Sequence, residues 1–214
     1  FADPTTLVLS IRPGVTFHDG TPLDAEAVKF NLDRNKSDAK SNIKADLVSV
    51  DTIEVTGPMQ VTLKLKNPDS ALPGILSDRA GMMVSPKAAK ALGDKFTTAP
   101  VCAGPFKFKE RVAQDRIVVD KFDKYWAKDR IHFDQIVFRT LPDPTVRLAN
   151  LRSGQLDLIE RVAPIDVAGV KSDNRFTIEE ATELGWNGIL YNVGAGEKAK
   201  GPIGSDPRIR EAFE

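Results

Sequence analysis

The segment that most limits what this chain can fold into is an early strand, turn and helix in quick succession. Residues 5–12 alternate, with Leu7, Leu9 and Ile11 on one side and Val8, Ser10 and Arg12 on the other, as a strand with one buried face requires. Pro13-Gly14 ends that strand. Phe17-His18-Asp19-Gly20-Thr21-Pro22 is rich in turn formers and leads to Asp24, a candidate helix N-cap. Ala25, Val28 and Leu32 then recur at helical spacing until a polar stretch over 35–42 dissolves the pattern.

The same grammar repeats along the chain. Ile53 and Val55 alternate before Gly57-Pro58-Met59, and Val61, Leu63 and Leu65 alternate after it, which predicts a hairpin of residues 49–56 and 60–66. Ser85-Pro86 opens a short helix over 87–92 that Gly93 closes. A second region starts near residue 95. Phe106 and Phe108, then 117–120, predict another hairpin, and 136–138 reads as a buried strand. Asp143-Pro144 caps a helix that Gly154 stops, and 164–170 is a short helix. Residues 156–159, 176–180 and 188–192 read as further strands. Strands alternating with helices imply mixed α/β architecture with crossover connections.

Composition narrows the function. Thirty basic residues balance thirty acidic ones among 214, which argues against a nucleic-acid partner and gives no polybasic support for a membrane surface. A single cysteine, Cys102, excludes an internal disulfide and a thiolate zinc site, and two histidines leave metal chemistry short of ligands. No nucleophile elbow, metalloprotease helix or phosphate loop occurs. Gly194-Ala195-Gly196 lacks the third glycine of such a loop and reads as a flexible connection.

His18 beside Asp19 has the composition of a base and its orienting carboxylate, but no nucleophile accompanies the pair, so turn chemistry is the better reading. His132 at a strand entrance is read the same way, and Cys102, without a cation next to it, as an inert thiol. Tyr125-Trp126 is either a binding platform or, as we read it, a loop anchored on the core by two rings. Arg79 precedes Ala80-Gly81-Met82-Met83 and suits either a ligand carboxylate or an ion pair with Asp78. Trp186-Asn187, between Gly185 and Gly188, suits a ligand-facing strand edge as well as a core tryptophan.

Three blocks of sequence carry a resemblance. Leu9-Ser10-Ile11-Arg12-Pro13-Gly14-Val15-Thr16-Phe17-His18-Asp19-Gly20 continues through Pro22 and Asp24-Ala25-Glu26-Ala27-Val28. Cys102-Ala103-Gly104-Pro105-Phe106 is followed by Tyr125-Trp126. Ser153-Gly154-Gln155-Leu156-Asp157 precedes Tyr191-Asn192 and the run from Asp206-Pro207-Arg208 to Ala212-Phe213. In this order the blocks resemble the family 5 extracellular solute-binding proteins, the oligopeptide, dipeptide and nickel receptors of ABC importers. Cys102-Ala103 stands where the family usually has Gly-Thr, and Asp24 where it has a threonine cap.

The resemblance implies a mixed α/β fold, periplasmic binding protein-like of type II. It implies a receptor that captures a peptide or similar small solute between two lobes and hands it to a membrane permease, with no bond made or broken and no cofactor or metal. A hydrolase, or a chaperone or sensor module, on the same fold is the alternative. Family members are about twice as long, so the chain reads as an incomplete receptor. Residues 1–95 correspond to most of the small domain II, and residues 96–214 to the central part of domain I, ending where domain III begins. Arg79, Trp186 and Asn187 fall on segments that face the ligand, and Asn192, a further ligand-binding candidate, matches the motif asparagine but is better suited to bonding backbone near the lobe boundary. The chain starts without a signal peptide and stops inside an amphipathic helix begun at Asp206-Pro207, both as expected of a trimmed sequence. By family the protein is a monomer, periplasmic or extracellular, lipid-anchored or soluble. A piece lacking the opposite lobe is expected to bind its solute weakly or not at all.

Overall fold

The computed structural model describes residues 1–182 and 188–213. The chain divides into two compact units, residues 1–146 and 147–214.

The first unit opens with β1 (Thr6–Ser10), α1 (Ala25–Ser37), β2 (Val50–Gly57) and β3 (Gln60–Leu65). The strand order is β1-β3-β2, and β3 is antiparallel to both neighbours. β1 and β2 therefore run parallel to each other with β3 between them, and α1 lies in the connection that joins them. This is a split β-α-β unit, so the expected crossover is present although no two parallel strands touch. Register explains the buried face. Leu7 and Ile53 both sit opposite Leu63, while Leu9 and Val55 both sit opposite Val61, so two apolar rows cross the sheet. α1 closes that face with Ala25, Val28 and Leu32, and Leu47, Val50 and Leu72 complete the core. Each fully buried leucine contributes about 1.5–3 kcal/mol over its exposed state. Asp24 caps α1 as expected, its carboxylate accepting from the Ala27 N–H at 2.9 Å.

Buried amides extend this core into the loops. Asn31 is 1% exposed; its Nδ2 donates to the Val84 carbonyl at 2.9 Å, and its Oδ1 accepts from the Val84 N–H at 2.9 Å. One turn later, Asn35 donates to the Ala80 carbonyl. Between these come α2 (Leu72–Leu76) and, after Val84, α3 (Pro86–Leu92). A chain segment without ladder partners is thus satisfied by a helix's side chains.

A second three-stranded sheet follows: β4 (Phe106–Val112), β5 (Arg116–Lys121) and β6 (Gln135–Arg139), paired antiparallel in that order. The hairpin is as expected. β6 is a strand but not a buried one, because Val137 and Phe138 are 46% and 57% exposed. It is the outer strand of its sheet, and apolar composition states a tolerance for burial without supplying a covering layer.

The second unit holds most of α4 (Pro144–Arg152), in which the division falls, then α5 (Pro164–Lys171), α6 (Pro202–Ser205) and α7 (Pro207–Glu211). Asp206 caps α7 through the Arg208 N–H at 2.9 Å, with Pro207 in the first turn. The strands expected at 156–159, 176–180 and 188–192 are not formed. Alternation marks a face, but a strand also needs a ladder partner, and Leu158, Ile189 and Leu190 are all strongly exposed.

Two substitutions separate these contributions. Asn31→Leu strands both polar groups of Val84 and is expected to cost roughly 2–4 kcal/mol, against about 1 kcal/mol for Asp24→Ala. Urea unfolding of the two variants checks the order; equal costs would mean that the Asn31 clamp stabilises no more than the helix cap.

Candidate functional site

The turn at 16–22 is built around Phe17, whose side chain is fully buried. Phe17 donates its N–H to the Thr21 carbonyl at 2.8 Å, and Gly20 returns its own to the Phe17 carbonyl at 2.9 Å. Gly20 has φ +81°, which a side chain would strain. Asp19 Oδ1 accepts from the Thr21 N–H at 3.0 Å and from the Thr21 hydroxyl at 2.6 Å. Its Oδ2 accepts from Ser85 Oγ at 2.6 Å, and Ser85 in turn caps α3 through the Ala88 N–H. Burial opposes ionisation of Asp19, but the bonds from Ser85 and Thr21, with Lys87 nearby, hold its carboxyl below the usual range.

His18 reaches further than a turn residue usually does. Its backbone N–H donates to the Cys102 carbonyl at 2.8 Å, and its ring lies between the Cys102 N–H, 3.4 Å from Nδ1, and the Gly104 carbonyl, 3.0 Å from Nε2. An amide N–H can only donate and a carbonyl only accept, so this geometry assigns the proton to Nε2 and leaves the ring neutral. Burial is the main cause that pushes the imidazole below its ordinary 6.5; the Gly104 carbonyl and Asp19 oppose it, and Lys107 adds to it. Phe122, 7% exposed, packs its ring edge-on at 4.9 Å from that of His18. Ser85 donates its N–H to the Val101 carbonyl, and Val84 bridges Cys102. The turn, the start of α3 and the 101–104 segment therefore form one joint. Burial raises the pKa of the Cys102 thiol, as expected of an inert cysteine.

Beside the joint is a pocket of about 270 Å³ whose walls include Ile11, Val15, Ala103 and Gly104. Tyr125 and Trp126 complete it, and the Arg12 guanidinium lies 4.0 Å from the centre of a Trp126 ring. Trp126 is 50% exposed, so it does not anchor its loop as expected; Phe122 does. A bulky ring beside a cation is held at the surface because stacking on Arg12 stands in for burial. The pocket can take a small apolar or planar group with an anionic end.

The residues singled out from sequence are placed as follows. Arg79 is exposed, begins a 3-10 turn at Arg79–Gly81, and has its Nε 4.0 Å from Asp78 Oδ2, a loose pair. A Cβ on Gly81 would lie 1.8 Å from the Leu76 carbonyl oxygen, so only glycine permits this turn. Asn192, in the second unit, brackets a loop by donating to the Ala195 carbonyl at 2.9 Å and accepting from the Ala195 N–H at 3.0 Å. Trp186 and Asn187 lie outside the described residues. Sequence reasoning missed Asn31, Asn35 and the Arg12–Trp126 stack. Among the described residues no His, Cys, Asp and Glu cluster could hold a metal, and no helix is long and apolar enough to cross a membrane.

Two distant sequence blocks thus converge on one joint beside this pocket, within a mixed α/β fold. The chain belongs to the bacterial extracellular solute-binding proteins, family 5, whose sequence model matches residues 1–214. Among its relatives are the glutathione-binding protein GsiB of Pectobacterium atrosepticum, 32% identical, and that of Escherichia coli O157:H7, 34% identical. Both alignments cover 99% of this chain and 40% of the relative, so the chain spans well under half of these proteins. AgaA of A. tumefaciens R10, solved with agropinic acid, superposes with a TM-score of 0.75 at 29% identity over 80% of this chain and 35% of its own. Burkholderia pseudomallei OppA shares the fold, with a TM-score of 0.74 at 20% identity over 81% of this chain and 38% of its own.

Asp19 offers a check on the joint. Asp19→Asn removes the charge that Ser85 and Thr21 bind and, because Asp19 is exposed to screening solvent, is expected to cost up to about 1 kcal/mol at pH 7. Because the folded carboxyl titrates below its ordinary 3.8, that stabilisation is present above pH 3.8 and lost as pH falls through the folded value. Unfolding measured at pH 7 and pH 3 should show the gap between wild type and variant closing in acid.

Proposed function

We propose that this chain is part of the solute-binding receptor of an ABC-type importer, and that its solute is a small peptide of the glutathione class. The observation that carries the reading is the family match across residues 1–214, joined by glutathione-binding relatives aligned over 99% of the chain. The receptor captures its solute in a cleft between two lobes and delivers it to a membrane permease, without changing a bond. It works as a monomer in the periplasm or outside the cell, lipid-anchored or soluble. Residues 1–95 form its domain II-like region and residues 96–214 the central part of its domain I-like lobe.

A peptide of this class presents carboxylates, an ammonium group and peptide bonds, so its site needs a cation, amides and a flat apolar wall. Arg79 is the candidate for a carboxylate, since its 4.0 Å contact with Asp78 is readily exchanged for a charge-assisted bond. Trp186 and Asn187 are candidates for the wall and an amide contact. Asn192, already bonded to Ala195, would hold the backbone of the cleft's margin.

Calorimetry of the full-length protein with reduced glutathione and a panel of di- and tripeptides tests the reading. A Kd of about 1 μM or tighter is expected for at least one of them, about −8 kcal/mol. No binding across the panel would overturn the peptide assignment. In the same assay Arg79→Ala should weaken binding about tenfold, or about 1.4 kcal/mol, and unchanged affinity would remove Arg79 from the site.

A further inference from the structure

We propose that His18 is an acid-released latch on the 102–104 wall of the Arg12–Trp126 pocket. The Cys102 N–H has His18 Nδ1 as its partner, at 3.4 Å, and this bond exists only while Nδ1 carries no proton. A second proton on the ring sets one N–H against another. The Nε2 bond to the Gly104 carbonyl survives protonation, and so does the backbone bond from His18 N–H to the Cys102 carbonyl. Release is therefore local: the wall is freed at the Cys102 amide while the turn stays attached.

The surroundings set the direction. Asp19, the neighbouring anion, favours the protonated ring, but Ser85 and Thr21 already occupy both its oxygens. Lys107 on β4 disfavours it, and Lys87 acts on Asp19 rather than on the ring. Phe122 offers only a ring, and the Cys102 thiol, its pKa raised by burial, stays neutral. A charge formed here is poorly compensated, so protonation and loosening of the wall favour each other. Ala103 and Gly104, next to the freed amide, face the pocket together with Arg12 and Trp126. Acid thereby changes the wall of a pocket that the titrating ring does not itself line.

Linkage sets the size. With the Cys102 amide aimed at Nδ1 the ring resists a second proton more than it does with the wall open, so the latch is tightest at neutral and higher pH and weakens as pH falls. One proton changes the opening constant by at most tenfold per pH unit.

The test is hydrogen exchange at the Cys102 amide of the full-length protein between pH 7.5 and 5.0, corrected for the intrinsic rate. Protection should fall with increasing acidity by up to tenfold per pH unit, while the Leu63 amide in the core sheet does not follow. In His18→Gln the side-chain oxygen accepts from Cys102 and its amide donates to Gly104 without titrating, so the pH dependence should vanish. His132→Gln should retain it. An unchanged pH dependence in His18→Gln would overturn the latch. Should that variant not fold, the nitrogen resonances of the wild-type imidazole decide. A proton on Nε2 at pH 7.5, with a titration midpoint matching that of Cys102 protection, supports the latch, and a proton on Nδ1 or separate midpoints refutes it. Neither outcome depends on which solute the protein binds.

Discussion

Two hydrogen bonds to one imidazole ring tie segments more than eighty residues apart, since His18 meets Cys102 and Gly104 across 84 and 86 positions. The contact works because the ring is neutral and amphoteric, able to accept from an amide on one side and donate to a carbonyl on the other. Lysine or arginine could only donate and a carboxylate could only accept. Around that ring the turn, the cap of α3 and the strand entering the second sheet are assembled. Phe17 anchors the turn from below, and Phe122 covers the ring from the side of the second sheet.

The split β-α-β core supports this joint by supplying a rigid first sheet. Its central strand β3 is apolar on one face because both neighbours place leucine, isoleucine or valine opposite it. α1 then does two tasks with one sequence. One stripe packs on the sheet, and the amides of Asn31 and Asn35 hold the 80–84 segment that leads to Ser85 and to the joint. Polar groups buried at the edge of an apolar core fix a chain path that apolar contacts alone would leave undetermined.

For a solute-binding protein this division of labour is reasonable. Two of the signature blocks, residues 9–28 and 102–106, meet in this joint. Arg79 is held on its turn by the glycine at 81, whose missing Cβ lets the chain pass the Leu76 carbonyl. The guanidinium itself stays exposed, with only its 4.0 Å contact to Asp78 among the described residues.

The sequence alone determined the local elements and the family. Alternation at 5–12, the Asp24 cap, the Gly57-Pro58-Met59 turn and the Ser85-Pro86 helix start are each set by neighbours within a few residues, and all appear in the structure. The motif blocks were legible for the same reason, being contiguous strings. Tertiary structure decided what depends on partners distant along the chain. It left 188–192 without a strand, left β6 exposed, turned Trp126 outward onto Arg12, and moved His18 from local turn chemistry into a long-range clasp. Periodicity reports which face a residue prefers; only the folded chain determines what stands opposite it.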